Sequence, residues 1–265
     1  MLSFNRLGNL GRLGNQMFQY AAIKGIAMHR GFEWCIPPKD AFGQQDEKVR
    51  DDINNTIYDV FNLGKFKVGF CNSPIAQEAT HAFDKNLYDN ILDNNDLLGY
   101  YQTHKYFENI EDEIRKDFTF QDDIQYVCKK FFSGGEYISL HIRRGDYLKP
   151  PHCDHHPVQS IEYYEKALTY FPGQLPVIIF SDDPEWCKQQ PLFAGDGYIV
   201  SENNDSGTDL CLMSMCNYHI IANSSMSWWG AWLAKSKHVV APNNWFDSRQ
   251  GVDTTDKYLP NWIRL

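Results

Sequence analysis

The sequence predicts an α/β protein with a mostly parallel sheet that helices cover on both faces. Short continuous apolar segments of strand length recur from residue 137 onward, and segments with helical periodicity separate them. Near the start of the chain, a glycine-rich turn leads into a helix and then a strand, which is the usual opening of an α/β layer. Together these observations favour a layered α/β fold.

The first half of the chain contains several recognisable elements. The glycine-rich turn at residues 8–14 runs into a helix that begins near Asn15 and ends at Gly31. Residues 38–66 are polar with weak periodicity, which is typical of surface loops with a short helix. The remaining pattern predicts strands at residues 32–36, 68–71 and 97–102 and a helix at residues 104–118.

The second half alternates regularly. It predicts strands at residues 137–142, 177–180, 198–200, 219–222 and 238–241, with helices at residues 161–171, 185–190, 210–215 and 228–235. The glycine-containing break at residues 132–136 is the candidate domain boundary. We therefore predict two domains, residues 1–134 and residues 135–265.

Composition excludes several functional classes. The chain has 265 residues and a formal charge of −9, which argues against a nucleic-acid partner, because phosphate backbones require clustered basic residues. The sequence has neither a transmembrane-length apolar run nor the features of a signal peptide at its start. Its seven cysteines include no Cys-x-x-Cys pair, so reduced core thiols are expected rather than disulfides or a zinc ribbon.

Two adjacent arginines follow the predicted strand 137–142. Arg143 and Arg144 at the end of a parallel strand suit an anion held by forked guanidinium donors. The alternative is a surface arginine pair that forms a salt bridge with Asp146. Strand 177–180 likewise ends in Asp182 and Asp183, for which capping of the following helix is an alternative role.

Serines follow the predicted strand 219–222. Ser224 and Ser225 at a helix start would present hydroxyls and free backbone N–H groups at the positive end of the helix dipole, which suits a phosphate. Ordinary helix capping is the alternative, and Trp228 and Trp229 are expected in the core. An arginine pair and a serine-capped helix at one sheet edge point to a diphosphate ligand, without naming the sugar or the reaction.

Two other patterns are weaker. The glycines of residues 8–14 are spaced Gly-x-x-Gly-x-x-Gly, which is compatible with close approach of a ligand but is not a dinucleotide-binding fingerprint. The His/Cys/Asp cluster at residues 152–156 lies in a proline-flanked loop without helical spacing, and we do not expect a metal there.

The motif wording carries a resemblance to a known family. Gly-Arg-Leu-Gly-Asn-Gln-Met-Phe-Gln-Tyr-Ala at residues 11–21, His-Ile-Arg-Arg-Gly-Asp-Tyr at 141–147, Phe-Ser-Asp-Asp at 180–183 and Ile-Ala-Asn-Ser-Ser-Met-Ser-Trp-Trp-Gly-Ala-Trp-Leu at 221–233 resemble the bacterial α-1,2-fucosyltransferases of glycosyltransferase family 11. The resemblance runs in order from about residue 10 to Trp262. The His-x-Arg-Arg-x-Asp string is also similar to that of α-1,6- and protein O-fucosyltransferases. Met226, where Phe is common, and residues 242–245 depart from the usual wording.

The resemblance implies a GT-B-like fold with two Rossmann-like domains facing a central cleft. The N-terminal domain would serve the acceptor and the C-terminal domain would bind GDP-fucose. Arg143 would hold the β-phosphate and stabilise the departing GDP, while Arg144 would brace the motif. The other implied contacts are His141 and Asp209 with guanine or its ribose, Ser224 and Ser225 with the diphosphate, Gly14 with the donor, and Asn15 with the transferred fucose or the acceptor.

The implied reaction is an inverting transfer of L-fucose from GDP-β-L-fucose to the 2-hydroxyl of a terminal galactose, giving an α-1,2 linkage without a metal or other cofactor. The spacing does not choose the general base among Asp146, Asp182 and His104. Two alternatives stay open: a GT-B transferase for another linkage or sugar nucleotide, and an inactive sugar- or nucleotide-binding module. The implied setting is cytoplasmic, with or without peripheral attachment to the inner membrane, in O-antigen or other surface-glycan synthesis.

Overall fold

The computed structural model describes residues 1–44, 55–236 and 238–265. The chain forms two compact units: Met1–Asp122 with Asp253–Lys257, and Asp123–Val252 with Tyr258–Leu265. The expected boundary at residues 134/135 lies beyond a helix, Asp122–Phe131, whose residues from Asp123 belong to the second unit.

The first unit contains a parallel sheet. Its described strands are β1 (Leu2–Ser3), β2 (Trp34–Ile36), β3 (Lys67–Val68), β4 (Ile75–Gln77) and β5 (Asp96–Leu98), in the order β3-β2-β1-β5-β4. The central strand β1 pairs Leu2 with Trp34 and Ser3 with Asp96. Strands β1 and β4 were not predicted, because two or three residues are too few to establish an alternating pattern.

The described helices of the first unit are α1 (Leu13–Arg30), α2 (Ile57–Val60), α3 (Lys85–Asn90) and α4 (Glu111–Asp117). Helix α1 matches its prediction closely. It ends where Gly31 adopts a left-handed conformation (φ 70°) that glycine tolerates, and the Gly31 N–H donates to carbonyls of the last turn. The short helix expected within residues 38–66 corresponds to α2, and residues 45–54 of that stretch lie outside the described residues.

The prediction of one helix over residues 104–118 was wrong in its first half. Two 3₁₀ turns, His104–Tyr106 and Glu108–Ile110, precede α4. Phe107 and Ile110 have φ near −137° and −135°, outside the helical range, so the backbone breaks at each of them. Both side chains are nevertheless buried, as the apolar periodicity predicted.

A buried ion pair joins α1 to α4. Lys24 contacts Asp117, and the Tyr20 hydroxyl donates a 2.7 Å hydrogen bond to the same carboxylate. Gly64 allows this close approach, since a Cβ at that residue would lie 2.5 Å from Asp117 Oδ1. Burial and the Asp117 charge raise the pKa of Tyr20, so its hydroxyl remains a donor.

The second unit contains a larger parallel sheet and confirms the predicted alternation. Its described strands are β6 (Ile138–Ile142), β7 (Val177–Ser181), β8 (Tyr198–Val200), β9 (Tyr218–Ile220), β10 (Val239–Ala241) and β11 (Ile263–Arg264), in the order β11-β10-β9-β6-β7-β8. The helices are α5 (Asp122–Phe131), α6 (Ile161–Leu168), α7 (Pro184–Lys188), α8 (Ser206–Met215) and α9 (Ser225–Leu233). Helix α5 and strand β11 were missing from the prediction.

Apolar packing explains why the strands of this unit could be read from sequence. Every residue of β6 is buried, and Leu140 and Ile142 are fully enclosed. Trp228 and Trp229 lie in the core, as expected.

All seven cysteines are free thiols, five of them buried. Among the described residues, no helix is both long enough and apolar enough to cross a membrane.

Candidate active site

The site is built at the carboxyl edge of the second sheet. Strands β6 and β7 are parallel neighbours, and their register sets Ile142 beside Ser181. The residues that follow these two strands therefore lie close together, which brings the arginine pair to the aspartates after β7. The sheet register thus assembles a charged cluster from two segments that are distant in sequence.

Arg143 is held by two carboxylates. Its Nη2 lies 2.7 Å from Asp146 Oδ1, and its Nη1 lies 3.1 Å from Asp182 Oδ2. The guanidinium carbon also lies 5.4 Å from the centre of the Tyr147 ring. The Arg143 side chain retains 17% of its accessible surface, so the guanidinium is oriented from several sides and still reachable by a ligand.

Arg144 makes a different set of contacts. Its backbone N–H donates to Asp182 Oδ1 at 2.8 Å, its Nε lies 3.1 Å from Asp183 Oδ2, and its guanidinium packs 4.0 Å from the Trp186 ring centre. Asp183 also caps α7 by accepting from the Trp186 backbone N–H. Arg144 therefore ties the loop after β6 to the start of α7.

Gly145 leaves room for this arrangement. A Cβ at that position would lie 2.5 Å from Asp182 Oδ2, the oxygen that contacts Arg143. A larger residue would push the carboxylate away, so the glycine is required by the position of Asp182.

The serine-rich turn precedes α9. The Ser224 hydroxyl accepts a 3.4 Å hydrogen bond from the Met226 N–H, so Ser224 caps the helix and Ser225 is its first residue. Ser227 lies two residues further into the first turn, and its Oγ is hydrogen-bonded to His141 Nδ1 at 2.9 Å. This contact links the helix start to strand β6.

His141 is buried and electrically neutral at physiological pH. Burial, aided by the nearby Arg143 charge, lowers its pKa from 6.5 to about 3. The ring therefore offers a neutral donor and acceptor, and adds no positive charge to the site.

Burial of a second histidine, His219 in β9, makes the stability of this unit depend on pH. Burial lowers the pKa of His219 to about 4, so between that value and 6.5 the unfolded chain binds a proton that the folded chain does not. We expect His141 and His219 each to cost about 2 kcal/mol of folding free energy at pH 5 relative to pH 7, since one pKa unit is worth about 1.4 kcal/mol.

Thermal unfolding at pH 7 and pH 5 measures this effect. The wild-type protein should have a lower Tm at pH 5, and His219→Gln should reduce the difference between the two pH values. The matched variant is His238→Gln, because His238 is exposed in the neighbouring segment. An equal pH difference in wild type and His219→Gln would contradict the prediction.

Sequence reasoning missed the residues that hold the serine-rich turn before α9 in place. Asn223 is buried, and its Nδ2 donates to the carbonyls of Trp245 (3.0 Å) and Pro157 (3.1 Å), while Gln159 donates to its Oδ1 at 3.1 Å. The Tyr147 hydroxyl donates to the Asn223 carbonyl at 3.0 Å. The sequence signal for this support was Asn223 itself, an amide residue directly between a predicted strand and a serine cap.

Asp209 lies in the first turn of α8, beside the end of β8. Its Oδ1 accepts hydrogen bonds from the Ser201 hydroxyl at 2.7 Å and the Asn204 amide at 3.3 Å. Burial raises its pKa despite these bonds. Because β8 is next to β7, Asp209 shares the carboxyl edge of the sheet with the arginine cluster.

In the first unit, the glycine-rich turn positions Asn15. Gly11 has φ +83°, and a Cβ there would lie 2.1 Å from Asn15 Nδ2. Asn15 Oδ1 accepts a 2.6 Å hydrogen bond from Gln102 Nε2. Gly14 is buried in the first turn of α1, one residue before Asn15.

The three candidate general bases fall into two groups. Asp146 and Asp182 lie in the second unit and are both ion-paired with Arg143. His104 lies in the first unit, where burial lowers its pKa and its Nε2 is 3.8 Å from Glu108. Over residues 1–44, 55–236 and 238–265, no group of three or more His, Cys, Asp or Glu side chains is placed to hold a metal ion.

Comparison with known proteins identifies the family. The model of Glycosyl transferase family 11 matches residues 67–265, which is most of the chain. The chain belongs to glycosyltransferase family 11. This family 11 protein is also similar to other glycosyltransferases over almost its whole length, three of which follow.

The O-antigen biosynthesis glycosyltransferase WbnK of Escherichia coli is 30% identical, over 96% of this chain and 98% of the relative. The α-1,2-colitosyltransferase of Escherichia coli is also 30% identical, over 96% of each chain. The galactoside α-(1,2)-fucosyltransferase 1 of Rattus norvegicus is 24% identical, over 96% of this chain and 71% of the relative.

Solved structures establish the fold of this family 11 protein. The fucosyltransferase NodZ from Bradyrhizobium superposes with a TM-score of 0.57, at 11% identity, over 93% of this chain and 96% of NodZ. The predicted α/β, GT-B-like fold class is confirmed, and each of the two units contains a parallel sheet.

Proposed function

We propose that this family 11 glycosyltransferase moves L-fucose from GDP-β-L-fucose to the 2-hydroxyl of a terminal galactose, in a precursor of O-antigen or another surface glycan. The observation that carries the proposal is the oriented guanidinium of Arg143 at the carboxyl edge of the second sheet. The family membership and the activities for which the rat and Escherichia coli relatives are named support the same reaction type.

In the proposed reaction, Arg143 binds the β-phosphate of the donor. Negative charge builds on that phosphate as the bond to fucose C1 breaks, and a guanidinium already fixed by Asp146 and Asp182 needs little reorganisation to stabilise it. An arginine carries five N–H donors, so its two ion pairs leave donors for phosphate oxygens. The start of α9 would add backbone N–H groups, and the transfer would need no metal.

The remaining donor contacts are proposed from the resemblance of the motifs. Ser224 and Ser225 at the start of α9 would contact the diphosphate, Gly14 would lie against the donor, and Asn15 would face the transferred fucose or the acceptor. For recognition of guanine or its ribose, neutral His141 and the carboxylate of Asp209 supply hydrogen-bonding groups of suitable chemistry.

The acceptor hydroxyl would attack C1 of fucose from the face opposite GDP, giving the inverted α linkage. Its proton would pass to one of the three candidate bases, Asp146, Asp182 or His104. Asp146 and Asp182 are carboxyl residues, a usual type of general base, and both contact Arg143, the residue proposed to bind the β-phosphate.

A second candidate activity is transfer of colitose. The relative named α-1,2-colitosyltransferase is as similar in sequence as the first relative, at 30% identity. The linkage and the diphosphate site would be the same, and only the transferred sugar would differ.

The first test measures acceptor-dependent release of GDP from GDP-fucose in EDTA, with lactose or N-acetyllactosamine as acceptor. We expect release that depends on the galactoside and persists in EDTA, with the product linkage identified by NMR. GDP should compete with the donor, whereas UDP and CDP should not. Turnover of a colitosyl donor without turnover of GDP-fucose would select the second candidate, and absence of both GDP binding and turnover would reject the donor site.

A further inference from the structure

A chain of polar contacts in the first unit ends at Asn15. It begins at Lys257, which is 2% exposed and lies on the segment Asp253–Lys257 that rejoins this unit. Lys257 Nζ is 3.1 Å from the Gln102 carbonyl oxygen and 3.3 Å from Gln102 Oε1. Gln102 Nε2 then donates to Asn15 Oδ1 at 2.6 Å.

The Lys257 ammonium group fixes the direction of each hydrogen bond in this series of contacts. A lysine ammonium can only donate hydrogen bonds, so the oxygen of the Gln102 amide must face Lys257 and its nitrogen must face Asn15. The oxygen of Asn15 is thereby occupied as an acceptor. Only the Nδ2 group of Asn15 then remains to bind a ligand. It lies over Gly11, in the space that the Cβ of any other residue at position 11 would fill.

Two opposing effects act on the charge of Lys257: burial disfavours the charged form, and neighbouring carboxylates favour it. Burial lowers its pKa to about 8, and the negative charges of Glu78 and Asp256 act in the opposite direction. Glu78 is itself held by the backbone N–H groups of Tyr100 (3.1 Å) and Tyr101 (2.9 Å). A buried charged group often stabilises a fold no better than an apolar residue of similar volume, so packing alone does not account for an ammonium at this position.

We propose that Lys257 is a positioning residue for sugar transfer: it sets the orientation of the Gln102 amide, so that Asn15 presents N–H donors rather than its carbonyl oxygen to a bound sugar hydroxyl. This inference rests on the proposed function, because it takes Asn15 to face the transferred sugar or the acceptor. Lys257 acts only through Gln102 and touches no reacting atom.

Double-mutant kinetics test the proposal. Lys257→Met keeps a long side chain and removes the donors, and we expect kcat to fall about tenfold, the loss of roughly one hydrogen bond, with unchanged GDP affinity. In an Asn15→Ala background the same change should cost nothing further. The matched control is Lys67→Met, because Lys67 pairs with Glu33 on the surface of the same unit and contacts neither Lys257 nor its partners. Equal tenfold losses in both backgrounds would overturn the proposal.

A second variant guards against a simple folding defect. Gln102→Glu is isosteric and keeps a partner for Lys257, but a carboxylate cannot donate to Asn15. We expect it to lower kcat as Lys257→Met does, without a lower Tm, whereas wild-type turnover in Gln102→Glu would refute the role of the amide.

A measurement without turnover separates this inference from the proposed function. Side-chain amide NMR signals of Gln102 and Asn15 can be assigned by their loss in Gln102→Glu and Asn15→Ala. Both pairs should shift in Lys257→Met and stay unchanged in Lys67→Met. If the wild type transferred no fucose but these shifts occurred, only the proposed function would fail; if the signals did not shift, the positioning role would be rejected whatever the enzyme transfers.

Discussion

Replacing Arg143 with alanine is expected to lower the kcat of the proposed fucose transfer by about 100- to 1000-fold, the usual cost of removing one donor that stabilises transition-state charge. The structure makes the loss severe. Asp146 and Asp182 both contact this guanidinium, and without it they would face the diphosphate as uncompensated negative charges. GDP affinity should fall for the same reason, as calorimetry would detect.

Two variants show whether the effect belongs to Arg143 itself. Arg143→Lys keeps the charge but not the forked donors, so its kcat should lie between those of wild type and Arg143→Ala. Arg144→Ala removes a neighbouring charge that binds Asp183 and Trp186, and a smaller loss is expected. Near-normal turnover by Arg143→Ala would contradict the role proposed for Arg143.

Asp117→Ala should destabilise the first unit by about 3–5 kcal/mol, because it leaves a buried ammonium without its counter-charge. Lys24 and Tyr20 both depend on this carboxylate, and the Lys24 and Asp117 side chains retain only 13% and 5% of their accessible surface. Hydrogen exchange of the α1 amides measures the free energy of unfolding of this region.

Glu33→Ala is the matched control, since Glu33 pairs with Lys67 on the surface of the same unit, with exposed fractions of 69% and 55%. An exposed pair of this kind contributes at most about 1 kcal/mol. Combining Lys24→Met with Asp117→Leu should recover much of the stability, because neither charge is then buried alone. Similar losses for Asp117→Ala and Glu33→Ala would show that burial of the pair has no special cost.

The second unit was largely predictable from sequence, and the first was not. Strands such as β6 and β7 are enclosed on both faces, so a continuous apolar run marks them. Strand β1 occupies the centre of its sheet with two residues, and its pairing with β2 and β5 depends on distant segments that no local pattern records. Around Phe107, by contrast, the helical spacing of apolar residues correctly predicted burial although the backbone forms separate turns and no continuous helix.

Motif positions predicted which residues gather at the carboxyl edge of the second sheet. They also offered the Arg143–Asp146 salt bridge and helix capping by Asp183 as alternatives, both of which the structure shows, but not the other partners. Arg143 and Asp182 could be placed at neighbouring strand ends, whereas the bond between His141 and Ser227 depends on how α9 enters the core. Lys257 lay beyond prediction, because its contacts with Gln102 join residues far apart in sequence. The roles of these residues stay predictions until the variants are measured.

The short return of the chain at Asp253–Lys257 has a consequence for recombining family members. A chimera with a single crossover near residue 122 would take Glu78 and Gln102 from one parent and position 257 from the other. If the parents differ at these positions, the chimera would bury Glu78 without Lys257, or Lys257 without Glu78, although each segment is a native sequence. Libraries that exchange these units should therefore carry two further crossovers, flanking 253–257, so that the lysine is inherited with the residues it contacts.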